Sequence, residues 1–210
     1  MNALLKKVVA EFLGVTFFVT SITAATTSGV ALPQLSLAIT LGLMILLTAG
    51  ISGGHLNPAV SLYFLARRAL TPSDFVAYVV AQLLGGVAGA WLGSLLWGKS
   101  IMMPASDNGA TAAHVTAELL ATAGLVWLVG TLAKTNRGAI IPVVVSAWVL
   151  AAAMFTPTGA QANPAVSIGL LFHPLGGHPL GTQMVLILAQ LAGALVAVVV
   201  INFFDEKASK

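Results

Sequence analysis

The pentapeptide Asn-Pro-Ala-Val-Ser occurs twice in this chain, at residues 57–61 and 163–167, 106 positions apart. Each copy opens an apolar stretch of nine residues, 58–66 and 164–172. Nine residues of helix rise only about 14 Å, less than half of a hydrocarbon core roughly 30 Å thick. Asn is among the best helix N-caps and Pro suits the first helical position, so Asn57-Pro58 and Asn163-Pro164 read as the starts of two half-helices. The residues ahead of each cap, Gly53-Gly54-His55-Leu56 and Gly159-Ala160-Gln161-Ala162, are predicted to be non-helical. Their unpaired carbonyls are tolerable inside a membrane only where they are buried in protein or line a wet cavity.

The membrane is implied by what surrounds the repeats. Hydrophobic residues make up 58% of the 210-residue chain and charged residues 7%, with a mean hydropathy of +0.99. So few charges cannot cover the surface of a soluble domain, whereas lipid solvates an apolar exterior. Six runs are long enough to span: about 8–28, 35–51, 74–97, 113–133, 138–155 and 181–204. They are separated by Pro33, Thr71-Pro72-Ser73, a polar stretch from Pro104 to Asn108, Thr135 to Gly138, and Gly176 to Pro179. The expected fold is all-α, with six transmembrane helices and two re-entrant half-helices in one domain spanning 1–210. A cleaved signal peptide in place of the first span is disfavoured by Glu11 within its apolar region. If the six spans alternate, eight of the nine Lys and Arg residues fall on one side and only Lys99 opposite, which places both termini in the cytoplasm. The short loops and termini favour a bacterial or archaeal inner membrane. The net charge of +3 carries no nucleic-acid signal, and the absence of cysteine excludes disulfides and thiolate metal sites.

Other features recur at nearly the same offset. Ala10-Glu11 returns as Ala117-Glu118, and Ala81-Gln82-Leu83 as Ala189-Gln190-Leu191. The small residues Ala81, Gly85, Gly89 and Gly93 are answered by Ala189, Gly193 and Ala197, stripes that let helix backbones approach closely in lipid. The chain is thus a duplication, about 1–100 and 110–208. Three spans per copy is an odd number, so the copies are inverted relative to each other. Half-helices dipping from opposite faces would meet at their Asn-Pro-Ala starts and bring two positive helix ends to the midplane. Each Asn, capping through its oxygen, would keep its NH2 as a donor. A central donor pair flanked by carbonyl ladders (Gly53, Gly54, His55, Gly159, Gln161) suits a pore for neutral, hydrogen-bonding solutes.

On the two Asn-Pro-Ala boxes, the segment "SGGHLNPAVS" at 52–61, and Glu11, Glu118, Gln82 and Gln190, the chain resembles the aquaporin and glycerol-facilitator family over nearly its whole length. The resemblance implies a homotetramer with one pore per subunit, no cofactor, passive flow, and glutamates 11 and 118 bracing the re-entrant loops. Half-helix dipoles are an established barrier to protons in pores of this type. One departure stands out: most relatives read Asn-Pro-Ala-Arg in the second box, whereas this chain has Val166. Family spacing places Ala160 and Ala151 beside it in the outer constriction, with a fourth position at Leu37 or, if the approach to the first box is short, at Ile39 or Thr40. Such a ring is wide and uncharged, since a guanidinium supplies five donors and a fixed charge that are absent here. Water, glycerol-like polyols, urea and metalloid hydroxides such as arsenous acid are the expected solutes, and some bacterial relatives are linked to arsenic resistance.

Alternatives remain open at this point. An intramembrane carboxylate is by default a functional candidate, so Glu11 and Glu118 also admit an ion- or proton-coupled secondary transporter. An occluded or gated membrane protein, closed by Val166 and Leu37, is a third reading. No Ser-His-Asp arrangement, carboxylate pair or phosphate loop is evident, so no enzyme is expected. His55 is expected to brace its loop, with pH gating as the sharper alternative. His173 and His178 make a poor metal pair without a third ligand, so no metal site is expected. His114 is read as interfacial, and Trp91, Trp97, Trp127 and Trp148 as lipid-facing or interfacial.

Overall fold

The computed structural model describes residues 3–100, 109–173 and 178–208. The expected break from Pro104 to Asn108, part of that from Gly176 to Pro179, and Lys210 lie outside the described residues. The chain forms eight α-helices there: α1 (Ala3–Ser28), α2 (Pro33–Ser52), α3 (Pro58–Ala66), α4 (Pro72–Leu96), α5 (Ala112–Lys134), α6 (Ile141–Phe155), α7 (Pro164–Leu170) and α8 (Leu180–Ala208). A 3-10 turn, Gly138–Ile140, leads into α6. Six helices are long and apolar enough to cross a membrane, α6 together with its 3-10 turn. The two half-helices lie between them in sequence, after α2 and after α6.

Proline sets several of these starts. Pro33, Pro58, Pro72, Pro142 and Pro164 each stand in the first turn of a helix, where a missing N–H is harmless and φ is already helical. Thr71 caps α4 through Asp74 N, and Thr111 caps α5 in a reciprocal box with His114. His114 therefore has a local structural task at a helix end.

The small-residue stripes are where the long helices touch. A Cβ on Gly85 would lie 2.6 Å from the Phe12 carbonyl of α1, and one on Gly193 would lie 2.5 Å from the Leu119 carbonyl of α5. The pairs α1–α4 and α5–α8 thus meet backbone to backbone at equivalent places in the two halves, as small residues allow in lipid. The outward faces are apolar: Leu95, Val143 and Val199 are 73%, 71% and 68% exposed. The protein is an integral membrane protein. Trp127 stacks on Phe204 at this surface. Trp148 differs from the lipid-facing expectation, because its ring lies over Gly124 and its Nε1 donates to the Ala121 carbonyl at 2.9 Å. A glycine on the neighbouring helix opens the slot it fills.

Polar contacts gather at one end of the bundle: Lys7 pairs with Asp74 at 3.6 Å, Lys134 with Asp205, and Arg67 Nη1 donates to Asn202 Oδ1 at 2.6 Å. At the other end the rings of His114 and His178 lie 5.3 Å apart, while His173 is buried and hydrogen-bonds Thr27 Oγ1 through Nε2 at 3.0 Å. His173 and His178 thus belong to different local clusters.

Candidate functional site

The two half-helices begin as the sequence suggested. Asn57 Oδ1 accepts from Ala59 N at 2.8 Å, and Asn163 Oδ1 from Ala165 N at 2.9 Å. Their Nδ2 groups cross between the halves. Asn57 Nδ2 donates to the Ala162 carbonyl at 2.8 Å, and Asn163 Nδ2 to the Leu56 carbonyl at 2.9 Å. This corrects the expectation of wholly free amides, since one hydrogen of each locks the opposite loop. The second hydrogen of each has no protein acceptor among the described residues.

Leu56 and Ala162 make this lock possible, and sequence reasoning missed their part in it. Both adopt left-handed backbone conformations, φ +49° and +47°, which are unfavourable for residues with a Cβ. The turn lets each residue send its carbonyl across to the opposite Asn while its N–H points back to a glutamate. Leu56 N donates to Glu11 Oε2 at 2.6 Å, and Ala162 N to Glu118 Oε2 at 2.7 Å. The only signal in the sequence was position, one residue before each Asn.

The glutamates collect the rest of the loops. Glu11 Oε1 accepts from Ser52 Oγ at 2.6 Å and His55 N at 3.0 Å, and its Oε2 also accepts from Gln82 Nε2 at 2.7 Å. Glu118 accepts from Gln161 N at 3.0 Å and Gln190 Nε2 at 2.7 Å. Both carboxyls are fully buried. Buried acceptors of this kind are stable only when their oxygens meet several donors, and here backbone N–H groups that no helix satisfies supply them.

Two adjoining chambers lie beside the Asn pair, which lines one of them; they are named inner and outer after the orientation expected from the basic residues. The inner one, about 590 Å³, is lined by Gly53, Gly54, His55, both asparagines and the α2 residues Leu41 and Ile45. The outer one, about 670 Å³, is lined by Leu37, Ala153, Gly159, Ala160, Val166 and Leu170 among others. Phe18, Val149 and Gln161 border both and mark the neck between them.

Among the constriction candidates, Val166, Ala160 and Leu37 come together in the outer chamber. Ala151 does not: it is exposed on the outward stripe of α6 with Val143, Ala147 and Met154, while Val149 and Ala153 face the chamber. Two residues along a helix are about 200° apart, so Ala151 cannot share their face. Thr40 lines neither chamber and Ile39 is 58% exposed, because the pore stripe of α2 runs through Leu37, Leu41 and Ile45 at four-residue spacing. Phe18 and Val149 were not anticipated, since nothing distinguishes them from other apolar helix residues.

Fold and site together define a class: a six-helix membrane protein whose two half-helices meet, cap to cap, on the wall of an internal chamber that adjoins a second. Comparison with known proteins narrows this. The Major intrinsic protein family model matches residues 1–173. An aquaglyceroporin, AqpS, of Rhizobium meliloti is 31% identical over 216 residues, covering 98% of this chain and 92% of the relative. A glycerol uptake facilitator-like protein of Lactiplantibacillus plantarum is 31% identical over 209 residues, covering 92% and 95%. The X-ray structure of the aquaglyceroporin from Plasmodium falciparum superposes with a TM-score of 0.73 at 21% identity, covering 93% of this chain and 94% of that one, a likeness of fold. The chain belongs to the major intrinsic protein family, a family of membrane channels.

Proposed function

We propose that this protein is a passive channel for small neutral solutes, namely water, glycerol-like polyols and undissociated metalloid hydroxides such as arsenous acid. The observation that carries the reading is Val166, which is 2% exposed and lines the outer chamber, at the position where the family resemblance implies an arginine. No Lys, Arg, Asp or Glu lines either chamber among the described residues. A solute meets apolar walls, loop carbonyls and a few N–H donors, which suits an uncharged molecule able both to donate and to accept. The positive ends of α3 and α7 face each other at the Asn pair and oppose cations and protons there.

The glutamates act as braces in this reading rather than as coupling sites, because their oxygens are occupied by loop donors. Conduction needs no chemical step, and we assign no catalysis. The names of the similar aquaglyceroporins and of the glycerol facilitator-like relative support polyol passage. The polar end carrying Lys7, Arg67 and Lys134 is taken as cytoplasmic, in a bacterial or archaeal inner membrane, with four copies per assembly and one pore in each.

Proteoliposomes test the proposal. Swelling under water, glycerol and arsenous acid gradients should exceed that of empty liposomes, be non-saturating, and be unaffected by an imposed pH or sodium gradient. Acceleration by either gradient would favour a coupled transporter. Background permeability for all three solutes, with the protein folded, would favour an occluded or gated protein.

A further inference from the structure

Gln161 was anticipated only for its backbone carbonyl, yet the residue borders both chambers at the neck, with Phe18 and Val149, and its amide nitrogen is not among the fully buried unpartnered atoms. The orientation of its amide follows from a fixed relay. Glu118 Oε2 is an acceptor, so the group of Gln190 that faces it at 2.7 Å is the amide nitrogen. That Nε2 also reaches Ser167 Oγ at 2.9 Å, and there it can only donate. The Ser167 hydroxyl, having accepted, points its own hydrogen at Gln161 at 2.6 Å, which must present Oε1. Gln161 Nε2 is thereby turned away from Ser167 and has no partner among the described residues. The residue is 8% exposed, and both chambers reach it.

The first half repeats this device with another side chain. Gln82 Nε2 donates to Glu11 at 2.7 Å and to Ser61 Oγ at 3.1 Å, and Ser61 Oγ lies 3.1 Å from His55 Nδ1. Nδ1 is therefore the acceptor and Nε2 carries the hydrogen. His55 borders only the inner chamber. Gln161 occupies the equivalent place, two residues before its Asn, and alone puts a side-chain donor at an otherwise apolar neck.

We propose that Gln161 is a solute-binding residue of the neck, whose Nε2 donates a hydrogen bond to the oxygen of the solute as it passes between Phe18 and Val149. The step is one of binding and release. A hydroxyl or water oxygen that sheds solvent at the neck recovers one bond from Gln161 before meeting the second hydrogens of Asn163 and Asn57. The inference rests on the channel reading above.

The test compares wild type with Gln161→Met, Gln161→Leu and Gln161→His in proteoliposomes, measuring water and glycerol permeability. Met matches the length without a donor. Its water and glycerol permeabilities should both fall about tenfold, the order expected when a desolvated polar group loses its partner. His restores a donor oriented by Ser167, as in the first half, and should stay within about threefold of wild type. Folded Met or Leu variants conducting like wild type would overturn the proposal. So would failure of both donor-less variants to fold while His folds, which would assign Gln161 to anchoring Ser167 alone. Background permeability in the wild type would instead sink the channel reading itself.

Discussion

The two re-entrant loops share one frame and differ in what they show the pore. In the first, Glu11 takes four donors: Ser52 Oγ, His55 N, Leu56 N and Gln82 Nε2. In the second, Glu118 takes three: Gln161 N, Ala162 N and Gln190 Nε2. The missing donor has an identifiable place. Ser52 corresponds by the 106-residue offset to Thr158, whose Oγ1 is buried without a partner and which borders the outer chamber. Tyr78 Oη further ties the first loop by donating to the Ser52 carbonyl at 2.7 Å. The first loop is the more heavily fastened, and the two differ in the side chain two residues before the Asn, His55 against Gln161, while Val60 and Val166 match. The glutamate fastening recurs in both halves, and the residue facing the chambers beside it does not.

The comparison breaks most visibly at the glutamates. Glu11→Gln turns one of two doubly occupied oxygens into a donor facing donors, and should destabilise the protein by about 3–5 kcal/mol, as breaking buried charge networks does. Glu118→Gln can place its NH2 where only Gln161 N is disturbed, and should lose about 1–3 kcal/mol. Thermal unfolding in detergent, followed by size-exclusion chromatography, ranks the two. Equal losses would show that the extra fastening of the first loop is without effect.

A second break lies where α7 docks on α4. A Cβ on Gly169 would lie 2.5 Å from the Gly86 carbonyl, which is backbone and cannot swing aside. Gly169→Ala should therefore cost about 1–3 kcal/mol by overpacking, read as a lower unfolding midpoint. The finest difference lies at Ser52 and Thr158. Ser52→Ala removes a donor to Glu11 and an acceptor of Gly54 N at 3.2 Å, for a loss of about 1 kcal/mol. Thr158→Val removes only a hydroxyl with no partner and should be neutral or slightly stabilising. A Thr158→Val loss matching that of Ser52→Ala would mean that the hydroxyl is bonded after all.

Much of the frame was legible in the sequence, for stated reasons. Spans are a matter of length and polarity, and the starts at Pro33, Pro58, Pro72 and Pro164 follow from proline chemistry. The half-helices were legible because Asn-Pro is a helix start and nine residues cannot cross a bilayer. What escaped depends on which way a helix face turns. Ala151 was placed on the pore by counting along the chain from Asn163, but the intervening turn at 156–162 sets the rotation of α6, and Val149 and Ala153 face inward instead. Leu56 and Ala162 escaped because a left-handed conformation at a residue with a Cβ has no composition signal. Gln161 was seen for its carbonyl alone, because the relay through Ser167 joins residues 23 and 6 positions apart in sequence.

The central claim, a neutral-solute channel whose selectivity departs from its relatives at Val166, is tested most directly by comparing wild type with Val166→Arg in proteoliposomes under glycerol and water gradients. A guanidinium in the outer chamber should lower glycerol permeability roughly tenfold, within the range that a change in pocket contacts gives, while water falls much less. Glycerol permeability unchanged by the arginine, or indistinguishable from empty liposomes in the wild type, would contradict it.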